Sequence, residues 1–466
     1  MNAALLTDRN FDVAIIGAGV VGCAMARRFT LDGAKVIVLE KGADVLDGAS
    51  KANSAILHTG FDAPPGSLEQ SCIANGYSEY LQIRETLGLP LLKTGAMVLA
   101  WNDEQLAQLP GLIEKAHKNG VMDVALKTRQ EILDQEPNLA AHLKGGFVVP
   151  GEYLIDPWAS AHAYILQAME NGAELFRGCE VLSGEFDDQK WQIETSKGRF
   201  TTKQVINCAG LYGDIIDQRL LGSSKFTIKP RKGQFVVFDK PASGLVDAVV
   251  LPVPTKTTKG VVIFRTIFGN LAVGPTAEEQ VSRTDASTVS ETLQDLRAKG
   301  IEMIPELAKY EVTTVYAGLR PATEFQDYQI SQNEAQNHVT VGGIRSTGLS
   351  AALGIARHVA SLNTNVSFSG KPIANPICPP PDLLSNYHER DWQKPGNGGI
   401  ICHCELVTKR EIEAALNGPM PPATLQGLKR RTRVCMGRCQ GFYCMGPLAE
   451  ITDGFLDPSM GQADDK

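Results

Sequence analysis

Three glycines, Gly17, Gly19 and Gly22, stand between a short apolar run and a helix-like segment near the start of this 466-residue chain. The run before them, Phe11–Gly17 (FDVAIIG), is rich in β-branched residues and suits a strand buried in a parallel sheet. The segment after them, CAMARRFTLDG, has helical composition and stops at Gly33. A second strand-like run, Lys35–Leu39 (KVIVL), ends in Glu40. Each residue type answers a physical need. Gly17 permits a tight turn, Gly19 lets a pyrophosphate approach backbone N–H groups, and Gly22 lets the helix pack on the strand. The helix N-terminus then favours the phosphates. Glu40, 23 residues beyond Gly17, places a carboxylate where adenosine ribose hydroxyls can donate to it. Glycines mark any tight turn, so the argument rests on the order strand, loop, helix, strand, acid. That order predicts a dinucleotide site. An acid rather than an arginine at the second strand's end disfavours NADP, and FAD and NAD both stay open at this point.

A chain of this length exceeds what one hydrophobic core supports, so two or three domains are expected. Its composition, 43% apolar and 21% charged, is that of an ordinary globular protein. A formal net charge of −7 argues against nucleic acid as a partner. It leaves room for a small anionic substrate held by one or two arginines. No run of about 18 apolar residues exists, so no transmembrane helix is expected. The opening MNAALLTDRN lacks the basic and apolar regions of a secretory signal. The expectation is a cytoplasmic protein, with peripheral attachment at the cytoplasmic membrane and homo- or hetero-oligomerisation left open.

Further along, a helical stretch is expected at about 67–88, a helix at 158–171, and a strand pair around 180–195. Gln204–Gly210 (QVINCAG) reads as another buried strand. From about 225 to 330 the pattern turns β-rich: GQFVVF, KGVVIF, NLAVGP, TTVYAGLR. His338–Gly343 (HVTVGG) is a further strand, followed by a helix through about 363. The predicted fold class is α/β. A discontinuous, Rossmann-like cofactor domain (10–80, 150–220 and 335–368) carries a β-rich α+β substrate domain (81–149 and 221–334). A Gly- and Pro-rich linker (369–398) leads to a small α-helical domain (399–455) and a tail (456–466).

Of the ten cysteines, Cys402, Cys404, Cys435, Cys439 and Cys444 crowd into about forty residues. Without a secretory context, such clustering points to metal rather than disulfides. A C-x-C pair followed about 35 residues later by a second pair can surround one cluster with thiolates. Zinc accepts four thiolates too, and spacing alone leaves both open. Thr408-Lys-Arg-Glu411 reads as a helix capping box.

GAGVVG with Glu40-Lys41, the NCAG strand, GLRPAT at 318–323 and GGIRSTGLSAA at 342–352 together resemble the D-amino-acid oxidase superfamily of FAD enzymes. They follow that family's order over about residues 10–365. ILHTGFDAPPGSL (56–68) is similar to the FAD-dependent glycerol-3-phosphate dehydrogenases and L-2-hydroxyglutarate dehydrogenases within it. The resemblance implies FAD rather than NAD. It implies cofactor contacts at Gly17, Gly19, Gly22, Glu40, Lys41, Ser50, Ser54, Val181 and Gly210, with Gly343, Gly348 and Leu349 near the isoalloxazine. It implies His58 as general base or substrate contact, and Arg320 as holder of a substrate carboxylate or phosphate, a task suited to a bidentate guanidinium. The resemblance also implies Arg345 as a further catalytic candidate, in the flavin-facing loop where glycerol-3-phosphate dehydrogenases carry a basic residue. The chain departs from such relatives at Arg265-Thr266, where they carry proline–threonine, and at LEQ (68–70), where they read LKA. Both departures leave the substrate open.

C-x-C-E-x-V-T followed by RRTR-x-x-MGRCQG-x-x-C resembles the bacterioferritin-associated-ferredoxin-like [2Fe-2S] domain. The ligands implied are Cys402, Cys404, Cys439 and Cys444, and Cys435 stands where relatives carry a small non-ligand residue. The basic run Lys429-Arg430-Arg431-Thr432-Arg433 is expected to neutralise the cluster's charge or to dock an acidic redox partner. The implied activity is a dehydrogenase oxidising the C–OH of glycerol 3-phosphate or a related anionic 2-hydroxy acid. Electrons would leave through FAD and the cluster to a one-electron acceptor protein or a quinone. An amino-acid- or opine-oxidising flavoprotein is a second reading. A redox-sensing or partner-recruiting protein is a third.

Overall fold

The computed structural model describes residues 6–254, 260–362, 366–379, 384 and 388–460. Residues 461–466 of the expected tail, 380–383 and 385–387 of the expected linker, and 363–365 after the last helix of the cofactor domain lie outside the described residues.

The opening strand, Arg9–Ile16, lies inside an eight-stranded sheet, and its last six residues are buried. It runs parallel to Val36–Glu40 on one side and to Gly198–Asn207 on the other. A side chain on such a strand meets protein on both faces, which is why the run carries no polar alternation. Gly198–Asn207 has a second edge that it divides between two partners. Its first half pairs antiparallel with Trp191–Thr195, and Val205–Asn207 pair parallel with His338–Thr340. Gln329–Asn333 forms a hairpin with His338–Gly342, so this strand belongs to the cofactor sheet. A boundary at 335 cuts that hairpin.

The helix Val20–Leu31 packs against Ala159–Glu170 and Gly348–Leu362. Small residues make the close crossings. A Cβ on Gly76 would collide with the Ser350 carbonyl, and one on Gly354 with that of Cys72, so the helices Leu68–Ile83 and Gly348–Leu362 touch through their backbones.

The second unit is a nine-stranded sheet built from two separate stretches of chain. Val249–Pro252 lies parallel to Ala96–Ala100 and joins the two stretches. Lys229–Phe238 pairs antiparallel with Val312–Ala322, with Gly233 opposite Gly318 and Arg231 opposite Arg320. Where the two units meet, Tyr153–Ile155 bridges Ile56–Leu57 and Leu91–Leu92.

The C-terminal unit has a two-stranded hairpin (Ile400–Cys402 with Val407–Thr408) and helices Lys409–Asn417, Leu425–Thr432 and Met445–Thr452. Its own core includes Val407, Ile412, Leu416, Leu428 and Leu448. Thr408 and Glu411 form the expected capping box. The linker is strapped down before it arrives: Gly370 N–H donates to Gly33 O (3.0 Å) and Ile373 N–H to Leu31 O (2.8 Å).

The basic run corrects an expectation. Its three arginines are engaged within the protein rather than offered to a partner, while the Lys429 charge still acts on Cys435. Arg431 grips the buried Asp44 carboxylate with two hydrogen bonds of 2.7 and 2.8 Å, and Arg177 adds a third at 3.2 Å. Arg430 donates to Val45 O at 3.2 Å. Arg433 bonds Glu405 at 2.9 Å and lies 3.8 Å from the Phe268 ring centroid. The run therefore clamps the C-terminal unit onto the loop that follows Glu40. Arginine suits this because its planar fork satisfies a buried carboxylate at several points.

Burial works against a charged Asp44, yet the Arg431 and Arg177 contacts outweigh it and hold its pKa below the ordinary value. Removing one partner of a buried pair leaves a charge uncompensated, at about 3–5 kcal/mol. Asp44→Asn is expected to lower the melting temperature and to speed proteolytic release of the C-terminal unit. A depressed carboxyl pKa stabilises above its unfolded value and loses that contribution as pH falls through the folded one. The melting difference between wild type and variant should therefore shrink below pH ~4, as read by scanning calorimetry.

Candidate cofactor and active site

Three remote segments are stitched together at the C-terminal edge of the cofactor sheet. Gly17 N–H donates to Leu39 O (2.8 Å), and Cys208 N–H donates to Ile16 O (2.9 Å). Gly17 turns at φ +101°, and a Cβ there would lie 2.6 Å from Cys208 O. A Cβ on Gly22 would collide with the Gly17 carbonyl. Gly19 begins the helix with extended backbone and no side-chain cap. The helix N-terminus thus meets an open cavity, the arrangement that favours a phosphate. Ser50 Oγ approaches it and accepts from Val20 N–H at 3.0 Å.

The cavity measures about 710 Å³. Gly17, Gly19, Glu40, Lys41, Ser50, Ser54, Val181, Gly210, Gly348 and Leu349 all line it, as do Arg320 and Arg345. Gly22, Gly343 and His58 do not. Gly22 works behind the wall, at the helix–strand contact. Gly343 turns at φ +68° against Gln329. Glu40 holds its carboxylate at the wall by accepting from Ala18 N–H (2.8 Å) and Gly42 N–H (2.7 Å), while burial pushes its pKa up. A glycine cradle at a helix N-terminus, a carboxylate at the second strand's end and a long cavity between sheet and substrate unit fit a dinucleotide.

Arg320 enters the cavity from the nine-stranded sheet. A Cβ on Gly233, diagonal to it, would collide with its guanidinium, so this glycine makes the room the side chain occupies. The guanidinium donates to Thr276 O and, at 3.4 Å, to Lys232 O. Burial pulls its pKa down to about 10, which leaves it charged at neutral pH. Arg345 donates to Gln326 O and reaches Glu69 at 3.4 Å. Arg265 pairs with Asp247 at 2.8 Å.

His58 follows the short strand Ile56–Leu57 and contacts Ser350, the neighbour in sequence of the cavity-lining Leu349. Its N–H donates to Ser350 Oγ at 2.8 Å. Its Nδ1 lies 2.7 Å from Oε2 of Glu152, whose side chain has no exposure at all. Sequence reasoning missed Glu152. The available signal was an acid inside the apolar stretch VVPGEYLI, since an acid is rarely buried without a partner.

In the C-terminal unit the five thiols gather but divide. Cys404 contacts Cys439, and Cys444 contacts both Cys402 and Cys435, the last at 3.4 Å. Among the described residues no three Cys, His, Asp or Glu side chains converge on a single-ion site. The groupings adjoin, since Cys402 acts electrostatically on both Cys404 and Cys435, and together they offer the four thiolates that a [2Fe-2S] cluster takes. Cys435 sits at φ +62°, a conformation uncommon for any residue but glycine. Phe442 and Tyr443, between the last two cysteines of the motif, are 81% and 71% exposed.

Comparison with known proteins agrees with this construction. The family described as "FAD dependent oxidoreductase" matches residues 12–362. The chain belongs to that family. A "BFD-like [2Fe-2S] binding domain" matches residues 400–453, so the C-terminal unit is a [2Fe-2S]-binding domain. A "Glycerol 3-phosphate dehydrogenase" from Caloramator mitchellensis is 36% identical over 457 residues, covering 95% of this chain and 93% of that protein. A "Glycerol 3-phosphate oxidase" from Mycoplasma pneumoniae is 29% identical over 75% of this chain and 94% of its own length. The solved FAD-bound L-alpha-glycerophosphate oxidase from Mycoplasma pneumoniae superimposes with a TM-score of 0.72 at 27% identity, covering 79% of this chain and 97% of its own. The protein is thus an FAD-dependent oxidoreductase carrying an iron–sulfur domain. Among the described residues no helix is long and apolar enough to cross a membrane.

Gly22→Ala is expected to force helix and strand apart by overpacking, at about 1–3 kcal/mol, and to weaken FAD retention. Visible flavin absorbance after gel filtration measures this; full retention would show that the close approach is dispensable. Cys435→Ser should leave the cluster's visible and EPR spectra intact, and loss of either spectrum would make Cys435 a ligand.

Proposed function

We propose that this enzyme is a glycerol-3-phosphate dehydrogenase, oxidising the secondary C–OH of its substrate and passing electrons to an external one-electron acceptor. The observation that carries this reading is the likeness to the Caloramator protein, which runs the length of both chains with the cluster domain included. A half-buried arginine at the cavity wall supports it. Arg320 offers a phosphate two donors in one plane, and Arg345 adds charge on the facing loop. His58 takes the substrate's hydroxyl proton.

Bound FAD supplies the hydride acceptor, and a bound [2Fe-2S] cluster supplies a one-electron exit. Gly17, Gly19 and Gly22 shape the phosphate cradle, and Glu40 receives the ribose hydroxyls. Cys402, Cys404, Cys439 and Cys444 are the cluster ligands, with Cys435 a neighbour. The exposed Phe442 and Tyr443 beside them give a carrier protein or quinone its point of approach. The cofactor domain comprises 10–80, 150–220 and about 329–368, and the substrate domain takes the stretches between. The enzyme works in the cytoplasm.

Anaerobic mixing with a panel of substrates tests this. Glycerol 3-phosphate is expected to bleach the flavin, while L-2-hydroxyglutarate and amino acids are not. Bleaching by amino acids alone would replace this reading with amine oxidation, and no bleaching by any would favour a redox-sensing role. Arg320→Met is expected to raise KM for glycerol 3-phosphate by roughly 30- to 100-fold, the value of about one charge-assisted hydrogen bond. An unchanged KM would sink its assignment.

A further inference from the structure

Glu152 follows the strand Gly145–Val149, and its side chain is completely buried. Isolated carboxylates are not kept in such places, because desolvation strongly disfavours the charge. Three groups engage this one. Oε1 receives the Thr59 backbone N–H at 2.6 Å and the Thr59 hydroxyl at 2.7 Å. Oε2 lies 2.7 Å from His58 Nδ1. The Thr59 hydroxyl itself accepts from Phe61 N–H at 3.3 Å, so its own proton points to Glu152. Gly151 makes the approach of the two loops feasible, since a Cβ there would come within 2.9 Å of the Thr59 side chain. On the other side, Ser350 Oγ accepts from His58 N–H and donates to Ile56 O, which fixes the backbone beneath the ring.

We infer that Glu152 is a positioning residue that holds the His58 ring with its proton on Nδ1, making Nε2 the nitrogen that takes the substrate's hydroxyl proton. This rests on the reading of His58 as proton acceptor. An ionised carboxylate only accepts hydrogen bonds. Nδ1 must therefore carry hydrogen wherever it meets Oε2, and in neutral imidazole the other nitrogen is then the basic one. The step balances: the substrate O–H and C–H bonds break, Nε2–H and a C=O bond form, and bound FAD would take the hydride.

Thr59 makes the test sharp. Its backbone N–H is a donor that cannot be reversed. In Glu152→Gln the amide oxygen must stay on that N–H, so the NH₂ group turns to His58. Nδ1 then becomes an acceptor and the proton moves to Nε2. The substitution preserves shape and reverses the tautomer, a change known elsewhere to disable a catalytic histidine.

The experiment is long-range ¹H–¹⁵N NMR on histidine-labelled holoenzyme, with the His58 signal identified by its loss in His58→Asn. Wild type is expected to show the Nδ1–H tautomer and Glu152→Gln the Nε2–H tautomer. Anaerobic flavin bleaching in Glu152→Gln should slow by about 100-fold or more, with KM for glycerol 3-phosphate within about twofold. An Nε2–H tautomer in wild type, or an unchanged tautomer and rate in Glu152→Gln, overturns the role of Glu152. If Glu152→Gln does not fold, the wild-type tautomer still decides. A His58→Asn enzyme that bleaches at the wild-type rate overturns instead the reading of His58 as proton acceptor.

Discussion

At the C-terminal end of the opening strand, three stretches of chain far apart in sequence are forced to within hydrogen-bond distance. Gly17 bonds Leu39, and Cys208 bonds Ile16. The Gly17 carbonyl lies against Gly22, and the face of Gly17 that would carry a side chain lies against the Cys208 backbone. No residue but glycine satisfies both approaches. Because the sheet is parallel here, these bonds bring the strand ends to one edge together. The glycine loop, the Glu40 carboxylate and the Gly210 turn all belong to that edge. The cavity exists because this stitch holds.

The stitch also explains how the C-terminal unit finds its place. Its anchor, Asp44, lies four residues after Glu40, on the loop that leads from the second strand back to Ser50 at the helix N-terminus. Arg431 and Arg177 converge on it, and Arg433 reaches across to Phe268 of the β-rich unit. One basic segment therefore touches both other units. Charge that looked available to a partner is spent internally. The exposed side chains nearest the thiols include the aromatics Phe442 and Tyr443.

Much of this was legible in the chain itself. The helix expected at 158–171 is Ala159–Glu170, and of the run Gln204–Gly210 the first four residues end the strand Gly198–Asn207 while the last three form the turn after it. Such elements declare themselves because periodicity and glycine placement are local properties. Twelve of the residues proposed from motifs line one cavity despite spanning positions 17 to 349. The failures have a common cause. Gln329–Asn333 was placed with the substrate strands, because a hairpin's sheet is decided by its partner and not by its own pattern. The run at 429–433 reads as charge for a cluster or a partner, because composition shows charge without showing that Asp44 and Glu405 oppose it. Glu152 was passed over for the same reason: its significance is its distance from His58, 94 positions away in sequence.

What the amino-acid sequence alone determined was chemistry carried by short, contiguous patterns: a dinucleotide cradle, an arginine in a glycine-flanked motif, thiols spaced for a cluster. Each depends on backbone geometry within a turn or two, where near neighbours dominate the energetics. Tertiary structure decided which acid opposes which base. It joined Glu152 to His58 and Asp44 to Arg431, and it sorted five thiols into two groups. Those pairings turn on burial and separations of about 3 Å, and only the packed fold creates both.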